Sequence, residues 1–325
     1  MNEALTVNHD ILKRFAFLNE RERLAHAYLF VGPRDIGKHQ TALGIAKWFN
    51  CEKSLIPNYF CDECWACSKI NAGNHPDVHV LETGEGEFIK IENIRGLLSQ
   101  AKLRPFTAQR KIFILKNVEN LTDESANALL KTLEEPTATS LLLLTTPVPE
   151  NVLDTVKSRC HIIHFFPMDV ERLADEFIKH YDEDKDRAHF LAYFSKGTFG
   201  WAKKLRDEKF FERKNAIIEG FLLRGNPTEV FLKEVLADKG KTRQFLDVLL
   251  TWIRDVLLVK AGIEDRRLIH LDQLKALKDF HRRFSFEELA ALNKEIVNMS
   301  KMLAENLNIK IPLLIIKEQL HGTNR

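Results

Sequence analysis

Apolar residues follow two rhythms along the chain, and the change comes near residue 166. Before it, short apolar runs alternate with segments of helical period. This predicts strands at Tyr28–Val31, Val78–Leu81, Lys111–Val118, Ser140–Thr145 and His161–Phe165. The third and fourth, KIFILKNV and SLLLLTT, are nearly continuous apolar runs of the kind buried on both faces of a parallel sheet. Helical segments are expected between them at Gln40–Phe49, Ile91–Leu103, Asp123–Leu133 and Glu150–Val156. Strands alternating with helices predict a doubly wound α/β domain over residues 1–166.

After Phe166-Pro167 no strand pattern follows. Helical periodicity recurs at Val170–Tyr181, Lys185–Ser195, Lys209–Leu223, Thr228–Leu236, Thr242–Lys260, Phe286–Leu303 and Ile309–Leu320. Gly197, Gly200, the turn Gly225-Asn226-Pro227 and Gly240 punctuate these segments. A small helical unit over 167–207 and a larger one over 208–325 are expected. In the last segment Ile309, Ile311, Leu313, Leu314, Ile315 and Ile316 spread over more than one stripe, so that helix must be buried in its own domain or against other chains.

Composition adds mainly exclusions. A chain of 325 residues with 45% apolar content has room for two or three domains. A formal net charge of +2 argues against a strongly basic nucleic-acid binder. No apolar run has the length of a membrane span and residues 1–12 lack a signal-peptide core, so a cytoplasmic location without membrane contact is the expectation.

Four of the five cysteines crowd into Cys51–Cys67. Cys61-Asp62-Glu63-Cys64-Trp65-Ala66-Cys67 is two overlapping C-x₂-C units, and Cys51 precedes it. Such turns set sulfurs at the separation that zinc coordination requires, so Cys51, Cys61, Cys64 and Cys67 are expected to bind a structural Zn²⁺ within an insertion at 50–70. A Cys₄ site is closed to water, and no catalysis is expected from it. A redox pair or four free thiols are the other readings; the thioredoxin-like setting of a redox pair is absent.

The run Gly32-Pro33-Arg34-Asp35-Ile36-Gly37-Lys38-His39 lies between an apolar strand and a helix. G-x-x-x-x-G-K in that setting cradles phosphates: loop N–H groups point at the anion and Lys38 adds positive charge, with Gly32 and Gly37 allowing the close approach. The next residue should carry a hydroxyl for Mg²⁺ and is His39. Many glycine loops join a strand to a helix without holding phosphate, and whether ATP binds weakly here stays open.

One stretch is more specific. Ser125-Ala126-Asn127-Ala128-Leu129-Leu130-Lys131-Thr132-Leu133-Glu134-Glu135-Pro136 is a long signature. Together with His26–Phe30, the cysteine cluster, Ser158-Arg159-Cys160 and the tail Asn306–Leu314, it resembles the bacterial clamp-loader AAA+ subunits nearly end to end. The resemblance implies a P-loop NTPase (AAA+) α/β domain, a small helical lid and an all-α collar domain that packs in a ring. It also implies partners: gamma/tau and delta subunits of DNA polymerase III and, through the assembly, a sliding clamp and primed DNA.

Active members of that family carry carboxylates at the end of the third strand, where this chain has Lys116 and Asn117. They also carry an arginine, reaching the γ-phosphate, at the place of Gly200. With His39, three parts of the hydrolytic apparatus are replaced, so intrinsic hydrolysis is not expected. Glu119 lies beyond the expected positions and is read as a solvated loop residue. Thr145 and Thr146, where a family sensor sits, are read as ordinary strand-end residues. Glu134-Glu135 is odd, because carboxylates oppose the dipole at a helix C-terminus; a basic partner would account for it, and a solvated end is the plainer expectation. The resemblance implies that Arg159 is an arginine finger supplied in trans to a neighbour's ATP site. The plain alternative is a surface arginine paired with a local carboxylate. Two other functions stay open: an ATP-hydrolysing gamma/tau-like subunit, and a stand-alone zinc- or nucleic-acid-binding module.

Overall fold

A computed structural model of the chain describes residues 9–53, 60–84, 87–101, 103–107, 110–137, 139–224, 231 and 235–321. The turn expected at Gly225–Pro227, most of the helix expected at Thr228–Leu236, the dipeptide Glu85-Gly86 and part of the 50–70 insertion lie outside them. The chain divides into two compact units, residues 1–168 with 198–201, and residues 169–197 with 202–325.

The first unit is built on five strands: β1 (Ala27–Val31), β2 (Val78–Leu81), β3 (Lys111–Leu115), β4 (Ser140–Thr146) and β5 (His161–His164). They form one parallel sheet in the order β2-β3-β4-β1-β5. Every residue of β1, β3 and β4 is buried, which is why apolar side chains dominate them, with polar Lys111, Ser140, Thr145 and Thr146 only at strand ends. Alternate residues serve opposite faces. Tyr28, Phe30, Ile112, Ile114, Leu141 and Leu143 enter one core with Phe15 and Ile45. Leu29, Val31, Phe113, Leu115, Leu142 and Leu144 enter the other with Ile94, Leu97, Leu129 and Leu133.

Helices cover both faces. They are α1 (His9–Glu20), α2 (Lys38–Asn50), α3 (Trp65–Asn71), α4 (Ile91–Ala101), α5 (Asp123–Glu134) and α6 (Asp154–Lys157). α1 and α3 were not anticipated in the sequence. α5 starts cleanly because the Thr122 side chain accepts the Ser125 N–H. β3 stops three residues earlier than its apolar run suggests. Asn117 adopts the left-handed conformation (φ 55°), and Val118–Asn120 turn back as a short 3₁₀ segment. α6 is likewise shorter than expected, since Pro149–Asn151 form a separate 3₁₀ turn.

No strand follows residue 164 among the described residues. The helices there are α7 (Val170–Tyr181), α8 (Lys185–Phe194), α9 (Phe199–Asp207), α10 (Phe210–Ile217), α11 (Lys239–Lys260), α12 (Leu274–Phe280), α13 (Phe286–Ala304) and α14 (Lys310–His321). Thr198–Trp201, which open α9, count with the first unit. A π-helical stretch, Ile218–Leu223, extends α10. Within the second unit α8 packs on the later chain: His189 Nε2 bonds the Leu268 carbonyl at 2.7 Å. The fully buried Lys214 pairs with Asp272 at 2.6 Å. In the last helix, Leu313, Ile316 and Leu320 are buried, while Ile311, Leu314 and Ile315 stay exposed on the single chain. No helix among the described residues is long and apolar enough to cross a membrane.

Candidate functional site

The glycine loop sits where the sequence places it, between β1 and α2. Gly37, directly before the helix, has φ 100°, a conformation that a side chain would strain. α2 follows with Thr41 Oγ1 donating to the Gly37 carbonyl at 2.9 Å. Lys38 is bent back on the loop: its ammonium donates to the carbonyls of Gly32 and Pro33, each at 2.6 Å. The side chain is 7% exposed. Burial lowers its pKa to about 8, against the opposing pull of Glu119 and Asp35.

Next to Lys38 the chain offers an imidazole, His39, and not a hydroxyl. Burial, with Lys116 adding to it, pushes His39 down to about 4, so its imidazole is neutral at pH 7. A neutral imidazole is a poor substitute for the oxygen ligands Mg²⁺ prefers. Lys116 directly follows β3 and forms an ion pair with Glu82, which follows β2. An ammonium therefore stands just past the end of β3, where its charge acts on His39. Glu119 departs from expectation. It is half-buried, its Oε2 lacks a hydrogen-bond partner among the described residues, and its charge acts on Lys38. The left-handed turn at Asn117 brings it back toward the loop, so it is not a solvated residue. Thr146 Oγ1 accepts the Val148 N–H at 3.1 Å, a strand-end role.

Gly200 touches the glycine loop itself. Its N–H donates to the Asp35 carbonyl at 2.9 Å. A Cβ at this position would lie 2.3 Å from that oxygen. The backbone here leaves no room for any side chain, an arginine included.

The cysteines come together as expected. The Sγ atoms of Cys51, Cys61, Cys64 and Cys67 all lie within 4.8 Å of one another. Cys51 follows α2 and Cys64 caps the start of α3. The Cys51–Cys61 and Cys51–Cys64 sulfurs are 3.7 Å and 4.0 Å apart. That is too long for a disulfide. It matches the separation of about 3.8 Å between sulfurs bound tetrahedrally at about 2.3 Å. Backbone N–H groups point at the sulfurs: Cys64 N to Cys61 at 3.2 Å, Cys61 N to Cys51 at 3.4 Å and Cys67 N to Cys64 at 3.4 Å. Burial pushes the Cys61 thiol up, but N–H donors from Glu63 and Cys64 outweigh it and bring the pKa to about 7. Burial raises those of Cys67 and Cys51. The donor set fits a metal ion. Asp62, inside the first C-x₂-C turn, pairs with the fully buried Lys47 of α2 and accepts from Asn71 Nδ2 at 3.3 Å.

Arg159 lies between α6 and β5 with its side chain 35% exposed. Its NH2 group pairs with Glu134 Oε1 at 2.6 Å. NH1 donates to the Thr155 carbonyl at 3.0 Å and to Ser158 Oγ at 3.3 Å. The helix end at Glu134 is solvated, as expected, and its half-exposed carboxylate also has a basic partner within the chain. Cys160, next along the chain, is pushed up to about 12 by burial. Glu82, Glu119 and Glu134 are the charged neighbours that the sequence did not assign to these sites. Glu134 alone gave a signal, through its place at a helix C-terminus.

Known proteins resemble this chain over most of its length. A family model described as "DNA polymerase III, delta subunit" matches residues 7–169. One described as "DNA polymerase III, delta subunit, C terminal" matches residues 208–321. The DNA polymerase III subunit delta' of Bacillus subtilis (strain 168) is 31% identical over 299 residues, covering 90% of this chain and 89% of that protein. Its counterpart from Pseudomonas aeruginosa is 30% identical over 272 residues, covering 82% and 79%. The DNA polymerase III subunit tau of Salmonella typhimurium is 35% identical over 167 residues, 51% of this chain and 25% of that protein.

Proposed function

This chain belongs to the family of delta-prime clamp-loader subunits of DNA polymerase III, related to tau and gamma, and from that premise we propose that it does not hydrolyse ATP itself but completes the ATP site of a neighbouring subunit. The observation that carries this reading is Lys116. Its ammonium, paired with Glu82, occupies the strand end where a hydrolysing member needs carboxylates for Mg²⁺ and water. His39 and the closed approach of Gly200 to Asp35 point the same way. Any ATP bound at Gly32, Gly37 and Lys38 is held weakly, because the lysine must first release two loop carbonyls.

The acting residue in this reading is Arg159. A finger supplied in trans neutralises charge that builds on the γ-phosphoryl group as its bond to the β-phosphate breaks, and in other systems it is worth about 10³–10⁵ in rate. The four cysteines hold zinc, which orders the insertion without taking part in chemistry. Residues 167–207 act as a lid and 208–325 as a collar, a division supported by the start of the second family match at 208. The exposed Ile311, Leu314 and Ile315 of α14 then face gamma/tau and delta subunits in a ring. The assembly opens a sliding clamp and places it on primed DNA.

The test is Arg159→Ala in an assembly reconstituted with gamma/tau and delta. The variant should fold and assemble, and DNA-stimulated ATP hydrolysis should fall; an unchanged rate would refute the finger. A second reading, hydrolysis by this chain, draws on Glu119, a carboxylate whose charge acts on Lys38 and whose Oε2 lacks a hydrogen-bond partner among the described residues. ATP turnover by the isolated chain, abolished by Lys38→Ala, would establish it instead.

A further inference from the structure

We infer that Glu134 is a positioning residue for Arg159, fixing the guanidinium so that its free edge meets a neighbour's phosphates. The inference rests on the finger reading given above and adds a second residue to it.

The argument starts from where Glu134 stands. It is the last residue of α5, with Glu135 following as the cap. Unpaired helix carbonyls make that end negative, so a carboxylate there is disfavoured unless a cation answers it. The cation is Arg159, twenty-five positions later, reached through a contact of 2.6 Å. A half-exposed ion pair contributes little to stability, so folding alone gives weak reason for the arrangement.

The hydrogen bonds of the guanidinium favour positioning over sequestration. The group has five N–H donors in a rigid plane. Two on NH1 go to the Thr155 carbonyl and Ser158 Oγ, and NH2 forms an ion pair with Glu134. Thr155 O is not used by the helical ladder, since the N–H groups of Ser158 and Arg159 go to Asp154 and Val156. Two hydrogen bonds and one ion pair, from two helix ends, define the orientation of the plane. The Nε–H has no hydrogen-bond partner among the described residues, and NH2 is engaged only by the ion pair with Glu134. A side chain as rich in rotamers as arginine otherwise loses that freedom only when the phosphate arrives. Held in advance, it acts without reorganisation at the moment of reaction.

The experiment uses the full chain in the reconstituted assembly, with Glu134→Ala, Glu134→Gln, Arg159→Ala and the double alanine variant. The readouts are kcat and KM for ATP in DNA-stimulated hydrolysis, and the thermal midpoint of each purified variant. Glu134→Ala should lower kcat about tenfold with KM and midpoint unchanged, as expected for misplacement of a reacting group. Glu134→Gln should lose less, because its amide oxygen still accepts. In the Arg159→Ala background, Glu134→Ala should cost nothing further. A rise in kcat for Glu134→Ala would mean that the carboxylate sequesters the arginine and would overturn the proposal. So would an equal loss in both backgrounds. An unchanged kcat for Glu134→Ala beside a crippled Arg159→Ala would overturn it while leaving the finger intact. If Arg159→Ala itself changes nothing, the finger and the positioning role fall together.

Discussion

Replacing Gly200 by alanine should destabilise the first unit, although alanine is the better helix former and Gly200 lies in α9. The added Cβ would stand 2.3 Å from the Asp35 carbonyl oxygen and 3.2 Å from its carbon. Real Cβ atoms essentially never approach within 3.0 Å, so loop and helix must part by at least 0.7 Å. Overpacking of this kind costs about 1–3 kcal/mol. Weakening the Gly200 N–H bond to Asp35 adds about 0.5–1.5 kcal/mol. The propensity gained by alanine offsets about 0.5–1 kcal/mol. The net loss is about 1–3 kcal/mol, a fall of roughly 5 °C in the thermal midpoint of a unit of this size. Gly96, in α4, supplies the control. Nothing lies within 4 Å of its Cβ position, so Gly96→Ala should raise the midpoint by roughly 2 °C. Circular dichroism melts of the three proteins decide the matter. A midpoint for Gly200→Ala at or above the parent would refute the reasoning. The same geometry implies that Gly200→Arg would meet the same carbonyl oxygen and destabilise the unit likewise.

Two further outcomes are expected. Purified chain should carry about one zinc ion, and Cys61→Ser with Cys64→Ser should abolish metal binding and lower the midpoint of the first unit; a fully folded chain purified without chelator and free of metal would refute the site. His39 gives a pH dependence. Its folded pKa of about 4 lies below the ordinary 6.5, so the unfolded chain takes up the proton first as pH falls. The stability it supports is complete above pH 6.5 and is lost between about 6.5 and 4, by about 1–3 kcal/mol. Denaturant melts of His39→Gln across this range should show a flatter curve, and an identical curve would contradict the buried neutral imidazole.

The sheet was legible because burial on both faces writes itself into the sequence as runs such as KIFIL and SLLLL. The cysteine cluster was legible because its ligands are close in sequence. What escaped depended on geometry between distant positions. Reading β3 through to Val118 carried Glu119 out into solvent, whereas one left-handed residue, Asn117, reverses the chain and returns that carboxylate to the glycine loop. The pairing of Lys116 with Glu82 joins residues thirty-four apart, and no periodicity encodes it. α1 and α3 escaped for another reason: α3 is only seven residues long and its register is set by Cys64 and Cys67, not by an apolar stripe.

The pairing of Lys47 with Asp62 has a consequence for anyone reshaping this domain. α2 carries Lys38 at its first residue and Cys51 just past its last, and Lys47 near its end is 1% exposed. Its carboxylate partner belongs to the cysteine loop. Excising the loop to make a smaller scaffold would strand an ammonium in a dry interior, which costs about 3–5 kcal/mol. The loop is therefore not a detachable module. A minimal version of this domain would have to trade Lys47 for an apolar residue in the same step, and a lineage shedding its cysteines would face the same double change.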